Sequence, residues 1–313
     1  MIKQRGFVFL SVVLAMSLVA IIAYGLNREN GMNASLLGRQ SDIDRARYAA
    51  EAGLQAVNAD VQSENCSGYA TSSSPIADTD FGGATYSAYA SASSGSPLTL
   101  TSTGSYNGTS VTLTRSNSYA YRSSTQDYVL QPNATAGIDT YLQSGSATNF
   151  GVASSMTVNG SRYPLIKFNL SMFPAGSIPE ALSLALWDSA WPVAANAYRM
   201  QSAWQEGTGA SSPVDGANWA TSNGSSAWAA AGGDYHPTAI ASDSAWGSWL
   251  YLDLADLGLA WMTGRYPNHG VRIDVVNTLG GFSGNIFLSD NANNSYRPAL
   301  VFEYWEPCGT SGP

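Results

Sequence analysis

Lysine is almost missing from this chain. Among 313 residues only Lys3 and Lys167 carry an ammonium group, charged residues make up 12%, and the net charge is −8. A nucleic-acid binder needs a basic stripe to meet phosphates, and none is visible, so no nucleic-acid partner is expected. Histidine and cysteine are equally scarce: His236, His269, Cys66 and Cys308 are the whole supply. A structural zinc site needs such ligands clustered, and these four are dispersed. A Ser-His-Asp triad would have to use His236, in DYHPT, or His269, in YPNHG. Both stretches read as turns and neither lies near a nucleophile-elbow pattern. No catalytic residue is expected and no cofactor is required. The polar surface must come from Ser, Thr, Asn, Gly and Gln.

One long apolar run is present. From Phe7 to Leu26 there is no charge and no proline, and Lys3 and Arg5 precede it. At about 1.5 Å per residue, a helix of this length would cross a bilayer core, with the remaining chain outside. The helical pattern continues beyond the run: Ile43, Arg47, Ala50, Leu54, Val57 and Val61 step by four and three, and no proline occurs before Pro75. The spacing predicts one helix over 7–63, transmembrane over 7–26 and amphipathic over 27–63. Outside a membrane, Cys66 and Cys308 would form a disulfide, or else stay two independent thiols. Closing a loop of about 240 residues, the bond would contribute roughly 5 kcal/mol.

After a polar loop over 64–83, the segments ATYSAYASA (84–92), LTLTSTGSY (98–106) and TSVTLTRSNSYAY (109–121) alternate apolar and hydroxyl residues. They read as a three-stranded antiparallel meander, with Asn107-Gly108 as a hairpin turn. A short linker follows at 122–126. Composition then changes, since all nine tryptophans lie between Trp187 and Trp305. Short strands and Gly/Asn/Ser turns over 127–305 argue for a β-sandwich or jelly roll, with a tail at 306–313. The fold class expected for the whole is α+β: a long N-terminal helix, a small antiparallel meander and an all-β jelly roll.

Two resemblances bear on function. Gly6-Phe7 after a short basic leader (1–6), with SDIDRARYAAEAGLQAVNAD (41–60) downstream, resembles type IV pilins, most of all PilX-type minor pilins. That resemblance implies cleavage after Gly6 by a prepilin peptidase and methylation of Phe7. It also implies residence in the inner membrane before assembly, then packing against other pilins in an extracellular filament. Most pilins carry glutamate at the fifth mature position, where this chain has Ser11. The glutamate neutralises a neighbouring subunit's terminal amine, so its absence favours a tip or initiating subunit.

The second resemblance covers most of 127–305. DTYLQSGSATNFG, LIKFNLSMFPAGSIPEALSLALW, SAWQEGTGASSPVDGANWA, GGDY, LAWMTGRYPNHGVRI and YRPALVFEYW follow one another as blocks similar to a DNRLRE domain. The resemblance implies an extracellular jelly roll of the kind attached to polysaccharide-active proteins, with polysaccharide or a cell surface as partner. Read from the residues, Trp191, Trp228, Tyr235, Trp246 and Tyr266 fall in loop-like stretches. They are candidate sugar-stacking platforms, or else caps on the core. Asp139, Asp290, Asn291 and Asn293 are candidate Ca²⁺ ligands, or else an Asx-rich turn. Glu206, in WQEGTG, is the first suspect for a hydrolytic carboxylate. The functional expectation is a minor pilus subunit displaying a jelly roll for adhesion, recognition or assembly priming. A ligand-free structural subunit and a surface polysaccharide-active enzyme are its alternatives.

Overall fold

The computed structural model describes residues 6–92, 97–118, 120–132, 138–189, 193–209, 215–245, 248–277 and 284–310. Side chains of the first helix are described from Val13, apart from Asn30, Gly31 and Ala34, and that of Ser248 is not described. The chain divides into two compact units, Met1–Ala92 with Leu98–Ser118, and Ser93–Pro97 with Tyr119–Pro313.

The first unit pairs helix α1 (Gly6–Ser63) with a four-stranded antiparallel sheet in the order β1 (Ile76–Phe81), β2 (Ala84–Ser91), β3 (Leu98–Tyr106) and β4 (Thr109–Ser118). The helix buries Ala46, Ala49, Ala50, Leu54, Val57 and Val61. Ile43 and Arg47, placed on that face by their spacing, are exposed instead. The reason is the closeness of the sheet. A Cβ on Gly104 of β3 would lie 2.0 Å from the Ala46 carbonyl oxygen and 2.4 Å from the Ala50 nitrogen. Only alanine and glycine fit such a seam, so the buried stripe shifts onto them. Asn107 and Gly108 both have positive φ, 46° and 75°, as a tight β3–β4 hairpin requires. Strand β1 lies within the stretch read as loop. It is mostly exposed, and an edge strand with little apolar content leaves no alternating signature.

The second unit stacks two sheets around one core. One sheet runs β11 (Ala241–Ala245), β10 (Val193–Arg199), β13 (Val271–Asn277), β8 (Arg162–Lys167) and β6 (Ile138–Gln143). The other runs β5 (Gln126–Leu130), β15 (Ala299–Trp305), β9 (Ile178–Asp188), β14 (Asn285–Phe287) and β7 (Ser155–Thr157), with β12 (Ser248–Asp253) also on β9. Leu182, Leu184, Leu186, Leu250 and Phe302 face Ile166, Ala195, Ala197, Ile273 and Val275 across the shared core. Helix α2 (Ala255–Met262) closes against β9 through Leu257 and Gly258. A satellite cluster of Leu142, Leu165, Met200, Trp204, Ala217 and Trp228 lies outside this core. Successive residues of β6 and β8 alternate between the two clusters: Tyr141 and Ile166 join the main core, Leu142 and Leu165 the satellite.

The expected class needs correction. Strand accounts for 40% of residues and helix for 22%, in three sheets against three helical segments, so the protein is mostly β rather than α+β with a pilin stem. Four polar or very short strands, β1, β5, β7 and β11, add to the strand content beyond what the pattern showed. The helix as a whole is also not an apolar stem: Arg28 and Glu29 follow directly on the apolar stretch. Among the described residues, no helix is long and apolar enough to cross a membrane.

Candidate metal centre

Three carboxylates separated widely in sequence meet in the second unit. Asp139, Glu206 and Asp290 each offer an oxygen, and these atoms all lie within 4.8 Å of one another. Asp139 is the second residue of β6 and is only 2% exposed. Glu206 is brought by the loop after β10. Its Oε1 accepts the Asp139 backbone N–H at 2.9 Å. That loop is pinned by Asn149, fully buried, whose Nδ2 donates to the carbonyls of Glu206 and Ala217 at 2.7 and 2.9 Å. Asn149 Oδ1 accepts from the N–H groups of Gly151 and Gly209. Gly207, at φ 83°, leaves no room for a side chain beside Asn149, which explains the Glu-Gly pair in WQEGTG. Asp290 comes from the turn after β14. The neighbouring Ser289 N–H donates to Asp139 Oδ2 at 2.8 Å.

The electrostatics are unfavourable without a counter-charge. Among the described residues no Lys or Arg forms a salt bridge with any of the three. Asp139 Oδ1 is buried without a hydrogen-bond partner, as is the Ser289 hydroxyl. That hydroxyl sits close enough to favour the charged carboxylate but makes no well-formed bond to it. Burial pushes Asp139 up to about 7 and Glu206 up to about 8. Asp290 is also raised by burial, against the pull of Arg297. All donors are hard oxygens, with no thiolate or imidazole in the cluster.

The candidate ligands named from sequence divide. Asp139 and Asp290 come together. Asn291 and Asn293 spend their side-chain oxygens on turns: Asn291 Oδ1 accepts the Asn293 N–H, and Asn293 Oδ1 accepts the Ser295 N–H, forming successive Asx turns. Glu206, suspected for hydrolysis, is the missing third carboxylate. Nothing in WQEGTG marks it as a partner of residues 67 positions upstream and 84 downstream.

The aromatic candidates divide too. Trp228 is 6% exposed, with Nε1 donating to the Asn218 carbonyl, and it caps the satellite cluster rather than offering a ring face. Tyr235 is half-buried beside Tyr198, with the Arg272 guanidinium 4.2 Å from its ring. Tyr266 lines a groove of about 590 Å³ with Arg199, His236, Tyr251 and Arg265. The Arg199 guanidinium lies 4.1 Å from the Tyr266 ring centre. Sequence reasoning missed Arg199, because only β10 pairing and the loop after α2 bring it to Tyr266. Trp191 and Trp246 lie outside the described residues. Gly6, Phe7 and Ser11 belong to α1 by backbone, and their side chains lie outside the described residues. Cys66 and Cys308 are both disulfide-bonded and neither is free. His236 accepts the Thr238 N–H at Nδ1, and the His269 carbonyl accepts from Trp204 Nε1, so both histidines serve turns. No protein-family model matches the chain, and no curated protein matches it.

Proposed function

We propose that this chain is a minor subunit of a type IV pilus-like filament that displays its β-rich second unit for recognition of polysaccharide or a cell surface. One observation carries the reading. Over Val13–Leu26, α1 exposes Leu14, Met16, Leu18, Val19, Ile21, Ile22, Tyr24 and Leu26, with Leu14 at 65% and Tyr24 at 71%. Burying side chains of this kind is worth roughly 1.5–3 kcal/mol each, so the segment favours an apolar partner. Neighbouring helices of the same character would cover it on every side, as in a filament core. A well-packed sheet unit with a surface of uncharged polar residues, further along the same chain, would then be displayed by the filament.

The recognition role is supported by the groove at Tyr266. Aromatic faces with guanidinium and carboxylate neighbours suit sugar rings and their hydroxyls or acidic groups. Asp253 and Asp256 line the groove as well, so it offers both donors and acceptors. A hydrolytic role for Glu206 has less support, because its carboxylate neighbour Asp139 is buried away from any polymeric substrate.

Shearing filaments from cells and labelling them with antibody against the second unit tests the proposal. Label should travel with filaments, and Leu18→Asp with Ile22→Asp should abolish it while leaving the melting of the β units unchanged. Label only in the filament-free fraction would contradict it.

A further inference from the structure

We infer that Asp139, Glu206 and Asp290 hold one Ca²⁺ ion that ties the loop after β10 and the turn after β14 to the start of β6. Two independent observations point there. The three carboxylate oxygens converge to within 4.8 Å, and oxygens bound to one calcium at about 2.4 Å can be no further apart than about 4.8 Å. Separately, one oxygen of the Asp139 carboxylate, Oδ1, is buried and unpartnered, and the adjoining Ser289 hydroxyl, 1% exposed, is unpartnered too. A buried acceptor left without a donor is costly, and a cation is the partner that serves three acceptors at once.

The chemistry selects the ion. Three carboxylates and no nitrogen or sulfur donor exclude a zinc-like preference. Two of the ligands sit on turns and loops, which accept the irregular six-to-eight-fold shells of calcium more readily than the strict octahedron of magnesium. The half-buried positions of Glu206 and Asp290 leave the remaining shell to water. Calcium binding here stands whether or not the chain enters a filament.

The test is calorimetric titration of the full chain, purified in mild detergent and stripped with chelator, with CaCl₂ and separately with MgCl₂. One calcium site per chain is expected, with a dissociation constant at or below about 1 mM. Asp290→Asn should weaken it at least tenfold, and so should Glu206→Gln. Terbium luminescence excited through tryptophan provides a second readout, quenched by added calcium in the native chain. It should be lost in Asp290→Asn, while far-ultraviolet circular dichroism shows that the variant is folded. No heat and no terbium signal with the folded native chain would overturn the inference. Equal affinity for magnesium would overturn the assignment to calcium.

Discussion

The backbone N–H of Asp139 donates to the side chain of Glu206 at 2.9 Å, while the carboxylates of both residues converge on one point with that of Asp290. The hydrogen bond fixes Glu206 beside the strand, and the convergence makes its charge a liability whenever nothing positive is present. Several segments of the second unit are therefore coupled to the ionisation of one small cluster.

Stability in chelator should fall as pH rises. An unfolded carboxyl titrates near 4, whereas burial raises Asp139 to about 7 and Glu206 to about 8. The folded chain therefore holds more protons between about pH 4 and 8, so the contribution is complete below that window and is lost across it. For Asp139 the loss is on the order of 4 kcal/mol at most. The charged group facing the cluster is Arg297, which acts on Asp290. Thermal melts in EDTA at pH 5 and pH 8.5 should differ by several degrees, and CaCl₂ should reduce that difference. A melting temperature that does not fall with pH in EDTA would contradict this account of the cluster.

Gly104→Ala should destabilise the first unit. Its new Cβ would meet backbone atoms of Ala46 and Ala50, which cannot move aside as a flexible side chain can. Overpacking of this kind costs about 1–3 kcal/mol, and a clash with backbone belongs at the upper end. Gly38→Ala has nothing within 4 Å and lies in exposed helix, so it should stabilise by about 1 kcal/mol. Chemical denaturation of both variants checks the opposite signs.

Arg272 is the other costly group to remove. It is 4% exposed, lies between the rings of Tyr163 and Tyr235 at 4.0 and 4.2 Å, and pairs with Asp274 at 2.8 Å. It also donates to the Gly232 carbonyl. Arg272→Ala should cost about 3–5 kcal/mol by leaving Asp274 and that carbonyl without their partner. Arg272→Lys should recover little, since an ammonium cannot stack between two rings and reach both acceptors. Denaturant midpoints of the two variants measure this directly.

In the groove, Tyr266→Ala should reduce binding to immobilised polysaccharide at least tenfold without lowering the melting temperature by more than about 2 °C. Arg199→Ala should also weaken binding, because its guanidinium lines the groove and holds the Tyr266 ring from one side. Unchanged binding by both variants would remove the groove from the recognition surface.

The residue pattern carried the helix of the first unit and most core strands of the second, where apolar periodicity is strong: LSLALW became β9 and VRIDVV became β13. It did not carry β1 or β11, whose short, mostly polar sequences leave no alternating apolar signature. It carried the buried face of α1 at Ala50, Leu54, Val57 and Val61 but misplaced its start, because the choice between Ile43 and Ala46 depends on how closely Gly104 lets the sheet approach. Two of the three carboxylates were legible. Asp139 stood out near the start of the second domain, and Asp290 in an Asx-rich run. Glu206 joined them only through a fold that returns the Asn149-pinned loop to the edge of β6, a relation across 67 residues that local spacing does not encode.

The most direct measurement on the central claim is the mass of the N-terminal peptide of the native chain recovered from purified filaments. The account predicts a chain beginning at N-methylated Phe7 in the filament fraction. A chain beginning at Met1 or downstream of Tyr24, found only apart from filaments, would contradict it.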